Sequence, residues 1–128
     1  HFFNAEHKRV RYTFTPAAAA ACRGTIVLTP GYGEQAELYF ETIKRFHAMG
    51  YAVWTMDWQG HGCSEWDDPQ NPQHVDAKGF GRHVDDLDIF VRDIVRPHHD
   101  PHTPLILTAH SMGGHIGLLY LQKHPGMF

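Results

Sequence analysis

Three unbroken apolar runs, each closed by a glycine turn and each joined to a stretch of helical periodicity, restrict this chain more than any other feature. They are Gly24-Thr25-Ile26-Val27-Leu28-Thr29, Tyr51-Ala52-Val53-Trp54-Thr55-Met56 and Leu105-Ile106-Leu107-Thr108. Runs without polar alternation belong to strands buried on both faces. Helical segments between them make crossover connections, so the strands lie parallel. The predicted architecture is therefore α/β, a mostly parallel sheet with helices on both faces in three layers.

The spacing predicts each element in turn. Residues 9–15 alternate polar and apolar, as a half-exposed strand does, and Pro16 ends them. The run Ala17 to Ala21 reads as a connector. Strand 24–29 precedes a helix over 35–49, marked by Tyr39, Ile43 and Phe46, with Gly50 where a left-handed cap is wanted. Strand 51–56 leads into a polar loop, Ser64 to Lys78. Phe80, Val84, Leu87, Val91 and Ile94 mark one face of a helix over 79–96, which Pro97 terminates. Strand 105–109 and a helix over 112–124 complete the chain as one partial domain, 1–128.

Composition narrows the functions. At 128 residues, with 42% hydrophobic and 20% charged side chains, the chain can bury a core and is not of disordered type. A net charge of -3 argues against a nucleic-acid surface. No apolar stretch approaches the roughly 20 residues of a membrane-spanning helix. Cys22 and Cys63 read as free thiols. His98, His99, Asp100 and His102 cluster between Pro97 and Pro104, but no second cluster at zinc spacing accompanies them, so a solvated loop is expected and no metal.

In parallel sheets, chemistry collects in the loops at the carboxyl ends of the strands. Here those loops are Pro30-Gly31-Tyr32-Gly33, Asp57 to Ser64, and His110-Ser111-Met112. Ser111 ends a buried strand and opens a helix within Ala109-His110-Ser111-Met112-Gly113, a nucleophile-elbow pattern with alanine for the first glycine. Residues two before and two after the serine must be small, because strand and helix cross closely there. The Met112 N–H then stands at a helix start, where the dipole favours a developing oxyanion. The alternative is an ordinary N-cap serine. The strand before, the helix after and the second glycine turn favour the elbow. His110 reads as a packing histidine, or one that supports its neighbours, rather than a base, and His61 is explained by its glycine turn. Asp85, Asp86 and Asp88 read as a solvated helix face, and Trp54, Trp58, Tyr32 and Trp66 as packing or pocket aromatics.

With Ala109 to Gly114, Asp57-x-x-Gly60-x-Gly62-x-Ser64 and the turn at Gly31 to Gly33, the chain resembles the N-terminal portion of the α/β-hydrolase superfamily, nearest the monoacylglycerol lipase and lysophospholipase branch. The resemblance implies a Ser-His-Asp esterase acting on lipid monoesters, with no metal or organic cofactor. It implies Ser111 as nucleophile, the backbone N–H groups of Tyr32 and Met112 as oxyanion donors, and Asp57 as a residue that shapes its turn. Many relatives have His-Gly where this chain has Pro30-Gly31. Lipid substrates are compatible with a cytoplasmic place or peripheral contact with a membrane.

In that superfamily the order is serine, acid, histidine, and no residue here matches the later two. The 128 residues are therefore expected to be an N-terminal half, inactive alone and with an apolar sheet edge left bare. The competing expectation is a non-catalytic α/β binding domain that keeps the elbow as architecture.

Overall fold

A computed structural model describes residues 1–18, 22–71 and 79–128; Ala19 to Ala21 and residues 72–78 of the expected connector and loop lie outside them. The first strands, β1 (Phe2–Phe3) and β2 (Arg9–Val10), form a separate antiparallel pair. The main sheet contains β3 (Tyr12–Thr15), β4 (Gly24–Thr29), β5 (Tyr51–Met56) and β6 (Leu105–Ala109), in the order β3-β5-β4-β6. The three apolar runs pair in parallel, with Val27 opposite both Trp54 and Leu107. β3 runs antiparallel along β5, with Tyr12 opposite Met56.

The strand expected over 9–15 is thus two strands that part at Arg11. Tertiary hydrogen bonds cause the break. The Arg11 N–H donates to Ser64 Oγ (2.8 Å), and the Arg11 carbonyl accepts from the Asp57 N–H (3.0 Å). Both backbone groups are claimed by the loop after β5.

The helices also differ from a uniform reading. A 3-10 turn, Ala36–Tyr39, precedes α1 (Phe40–Ala48), because Asp57 Oδ1 takes the Ala36 N–H (2.9 Å) and anchors the first turn. The helix α2 (Gly81–Ile89) widens into a π-helical stretch, Phe90–Val95, then tightens to a 3-10 turn at Arg96–His98, which includes Pro97. The wide turn brings Phe90, Val91 and Val95 all into the core. The last helix, α3, spans Met112–Lys123.

Side-chain alternation along the strands sends the two faces to different helices. Val27, Trp54 and Met56 pack with Val84, Leu87, Phe90, Ile116 and Tyr120, so α2 and α3 cover one face. Ile26, Leu28 and Val53 pack with Ile43, so α1 covers the other. Trp54 and Trp58 are core residues of the first face, whereas Trp66 is exposed. Along β6 an apolar cleft is lined by Leu107, Ala109, Gly117, Leu118 and Leu121, with Leu118 65% exposed.

One expectation is overturned on α2. Asp86 is buried rather than part of a solvated face, while Asp85 and Asp88 do meet surface partners, Lys123 and Arg92. Position 86 faces the N-terminal hairpin, whose Asn4 Nδ2 donates to its carboxylate (3.3 Å). Burial pushes the Asp86 carboxyl up to about 6. Its neighbour His83 is also buried, 5.5 Å from the Trp58 ring, and burial pushes it down to about 4.

Two predictions follow from this packing. Phe90→Ala should cost about 3–5 kcal/mol of stability by chemical denaturation, whereas Phe3→Ala, at a side chain 60% exposed, should stay within about 0.5 kcal/mol. An unfolded histidine takes up its proton near 6.5 but folded His83 only near 4, so in that window the unfolded state holds more protons and stability falls as the pH is lowered from about 6.5 towards 4. His83→Gln should remove that part of the fall, read as melting temperature against pH relative to the parent.

Candidate active site

The junction from β6 to α3 is a single residue with a strained backbone. Ser111 has φ 50° and ψ -118°, a conformation rarely adopted by a side-chain-bearing residue. The strain persists because both flanks are held. His110 N–H donates to Thr29 O (3.1 Å), and the N–H groups of Gly114 and His115 return to Ser111 O at 2.9 and 3.2 Å. The hydroxyl makes no capping bond to the helix it precedes and is exposed. This geometry differs from the ordinary N-cap alternative, in which the serine oxygen accepts from the helix.

Small residues are required at the crossing. A Cβ on Gly113 would overlap the carbonyl oxygens of Thr29 and Pro30 and lie 2.8 Å from the Thr29 carbonyl carbon. Ala109 adds only a methyl, 4.0 Å from where a Cβ on Gly114 would sit.

The turn after β4 lies against this junction. The Trp58 indole donates to Pro30 O (2.8 Å), and the Gly31 N–H donates to Glu34 Oε2 (2.5 Å). Glu34 also accepts the Tyr39 hydroxyl and meets His110 Nδ1 at 3.0–3.1 Å. Its bond from Tyr39 above all, with those from Gly31 and His110, holds the Glu34 carboxyl below its ordinary range. A Cβ on Gly31 would press on the Glu34 carboxylate and stand 3.1 Å from His110 Nδ1, so glycine gives these groups room. Gly33, with φ 70°, turns the chain in open space. Among the described residues, the backbone N–H groups of Tyr32 and Met112 donate to no protein acceptor. The Tyr32 ring is 61% exposed and lies edge-on to His61, 5.3 Å between centroids. The His110 side chain, also 61% exposed, is bound to Glu34 rather than packed.

Asp57 organises the third loop from full burial. Its carboxylate accepts from Arg11 Nε (2.7 Å), the Ala36 N–H (2.9 Å) and the Cys63 N–H (2.9 Å), while Ser64 Oγ donates to its carbonyl (2.7 Å). Arg11 in turn grips Glu37 (2.5 and 2.7 Å). Gly60 and Gly62 have φ 80° and 51°, and a Cβ on Gly62 would lie 2.8 Å from Gln35 Cβ and collide with the Asp57 carboxylate. His61 is buried, with Nδ1 3.1 Å from Gln59 O, so that nitrogen carries the proton and Nε2 is a bare acceptor. Burial pushes its ring below the usual histidine range.

Sequence reasoning missed Glu34 and Arg11. Arg11 sits in an alternating strand pattern that makes any polar residue read as solvent-facing; Glu34 belongs to no pattern at all. Among the described residues no three His, Cys, Asp or Glu side chains could hold a metal. His98 bonds Ile94 O (2.8 Å) and His99 meets Thr25 Oγ1 (3.0 Å). Asp57→Asn would weaken the bonds from Arg11, Ala36 and Cys63 while Arg11 keeps Glu37, and should cost about 1–3 kcal/mol, measured by denaturant titration.

Comparison with known proteins places this geometry in a lineage. Residues 20–128 match the family described as serine aminopeptidase, S33. The chain is 34% identical over 106 residues to a monoacylglycerol lipase of Mycolicibacterium smegmatis, covering 83% of this chain and 35% of that protein. It is 36% identical over 104 residues to lysophospholipase L2 of Escherichia coli, covering 80% of this chain and 29% of that protein. A solved monoglyceride lipase from Saccharomyces cerevisiae, a soluble variant with a substrate analogue, superposes with a TM-score of 0.79 at 25% identity, over 98% of this chain and 39% of that one. The chain thus spans about a third of the length of the curated relatives it matches. It belongs to the serine aminopeptidase S33 family of α/β-hydrolases.

Proposed function

We propose that the protein is a serine hydrolase that cleaves carboxylic esters of lipids, a monoacylglycerol or lysophospholipid, through an acyl-enzyme on Ser111. The observation that carries this reading is the backbone of Ser111. A strained, exposed serine at φ 50° with no capping bond supports a nucleophile held clear of the sheet. The lipid ester as substrate is supported by the names of the two relatives, a monoacylglycerol lipase and a lysophospholipase.

The chemistry runs as follows. Ser111 Oγ attacks the ester carbonyl as a base removes its proton. The tetrahedral oxyanion accepts from the N–H groups of Tyr32 and Met112, which no protein acceptor occupies among the described residues. The second donor is also the first N–H of α3, so the helix dipole adds to it. The alcohol leaves with the base's proton, and water then releases the fatty acid. His110 is a poor base, since its Nδ1 faces Glu34, and His61 is buried beside Gln59. We assign the histidine base and its carboxylate to parts of the protein outside these 128 residues.

Fluorophosphonate labelling of the intact protein tests the assignment. Ser111→Ala should abolish labelling and lower ester turnover by about six orders of magnitude, as in comparable triads. Labelling that survives in Ser111→Ala overturns it. An intact parent protein that neither labels nor turns over esters would instead favour the non-catalytic binding domain.

A further inference from the structure

We propose that Glu34 is a positioning residue that sets the separation of the two oxyanion donors by holding both of their loops with one carboxylate. The inference rests on the reading of Ser111, Tyr32 and Met112 given above. Glu34 takes the N–H of Gly31, the residue immediately before Tyr32, and meets the ring of His110, two residues before Met112. Its third contact, the Tyr39 hydroxyl at the start of α1, ties the carboxylate to the scaffold.

The geometry makes the coupling specific. The Gly31 N–H belongs to the rigid peptide that joins Pro30 to Gly31, and the Tyr32 N–H to the next one, whose Gly31 carbonyl accepts from the Glu34 N–H (3.4 Å). Pro30, just before, has no N–H, and its carbonyl is already bonded to Trp58. Gly31 has no side chain to limit its torsions. Glu34 therefore holds the Pro30–Gly31 peptide on its amide side through its carboxylate and, through its own backbone N–H, the carbonyl of the peptide that carries the Tyr32 donor. On the opposite loop, His110 carries the proton on Nδ1 and donates it to a charged acceptor. Such charge-assisted bonds are stronger than neutral ones. The donor pair is thereby preorganised rather than ordered during the reaction, where preorganisation lowers the barrier. Glu34 touches no reacting atom in this account.

The test compares Glu34→Ala and Glu34→Gln in the intact protein, with p-nitrophenyl butyrate as substrate and a fluorophosphonate as acylating probe. Glu34→Ala should lower kcat and the labelling rate of Ser111 by about ten- to a hundredfold, up to the loss of one oxyanion donor, with KM within about twofold. Glu34→Gln keeps one acceptor oxygen for the Gly31 N–H but loses the charged acceptor of His110, and should recover part of the rate. A Glu34→Ala protein with unchanged kcat overturns the proposal. So does a Glu34→Ala protein whose melting temperature, KM and kcat all deteriorate together without recovery in Glu34→Gln, since that is the pattern of a merely structural residue. Ser111→Ala is run alongside: retained labelling there removes the assignment of Ser111, whereas its loss with an unaffected Glu34→Ala removes only the positioning role.

Discussion

Helix α3 leaves β6 so close to the end of β4 that position 113 has room for a hydrogen and nothing larger. The contact is backbone on backbone, helix against the carbonyls of Thr29 and Pro30, and neither side can rotate away as a side chain would. Because strand and helix are pressed together there, the residue between them must turn the chain within one peptide. Ser111 does so at positive φ. Its exposure, its freedom from capping and the placement of the Met112 N–H at the helix start all derive from that crossing. The pairing of β4 with β6 over five residues, from Thr25 with Leu105 to Thr29 with Ala109, supplies the rigidity that makes the strain sustainable.

Two carboxylates then fasten the neighbouring loops, in different ways. Asp57 is fully buried, and its cost of desolvation is met by a guanidinium and two backbone N–H groups. It joins the β3 edge, the turn before α1 and the loop after β5 in one node. Glu34 lies at the mouth of the site and binds a backbone amide, a phenol and an imidazole. The phenol answers to the same contact: burial, then Glu34, pushes Tyr39 up to about 12, so it stays a donor at any ordinary pH. The two nodes lie on either side of the 3-10 turn Ala36–Tyr39, so displacement of that turn would be felt by both.

Much of this arrangement was legible from residue order. Buried parallel strands leave long apolar runs, and glycine or alanine at fixed offsets from a serine marks a tight crossing, so the sheet, its helices and the Ser111 turn could be anticipated. What escaped notice depends on contacts remote in sequence. The break at Arg11 exists because Ser64 and Asp57, 53 and 46 residues away, claim it. Asp86 reads as polar surface from α2 alone, and its burial is decided by Asn4, 82 residues earlier. The contact of Glu34 with His110 spans 76 residues, and nothing local distinguishes that glutamate from its exposed neighbours.

The turn after β4 shows how a loop with few donors of its own is held. Pro30 offers neither a side-chain donor nor a backbone N–H. A loop so deprived would be free to pivot about Gly31. The structure restrains it from both ends: the Trp58 indole binds the Pro30 carbonyl from within the core, and Glu34 binds the Gly31 amide from outside. Trp58 itself cannot shift, since it is fully buried. Both bonds fall on the peptide between Pro30 and Gly31; the next carbonyl, that of Gly31, accepts a long bond from the Glu34 N–H (3.4 Å). The stiffness of the turn is thus distributed over an indole and a carboxylate, and among the described residues the Tyr32 amide donates to no protein acceptor.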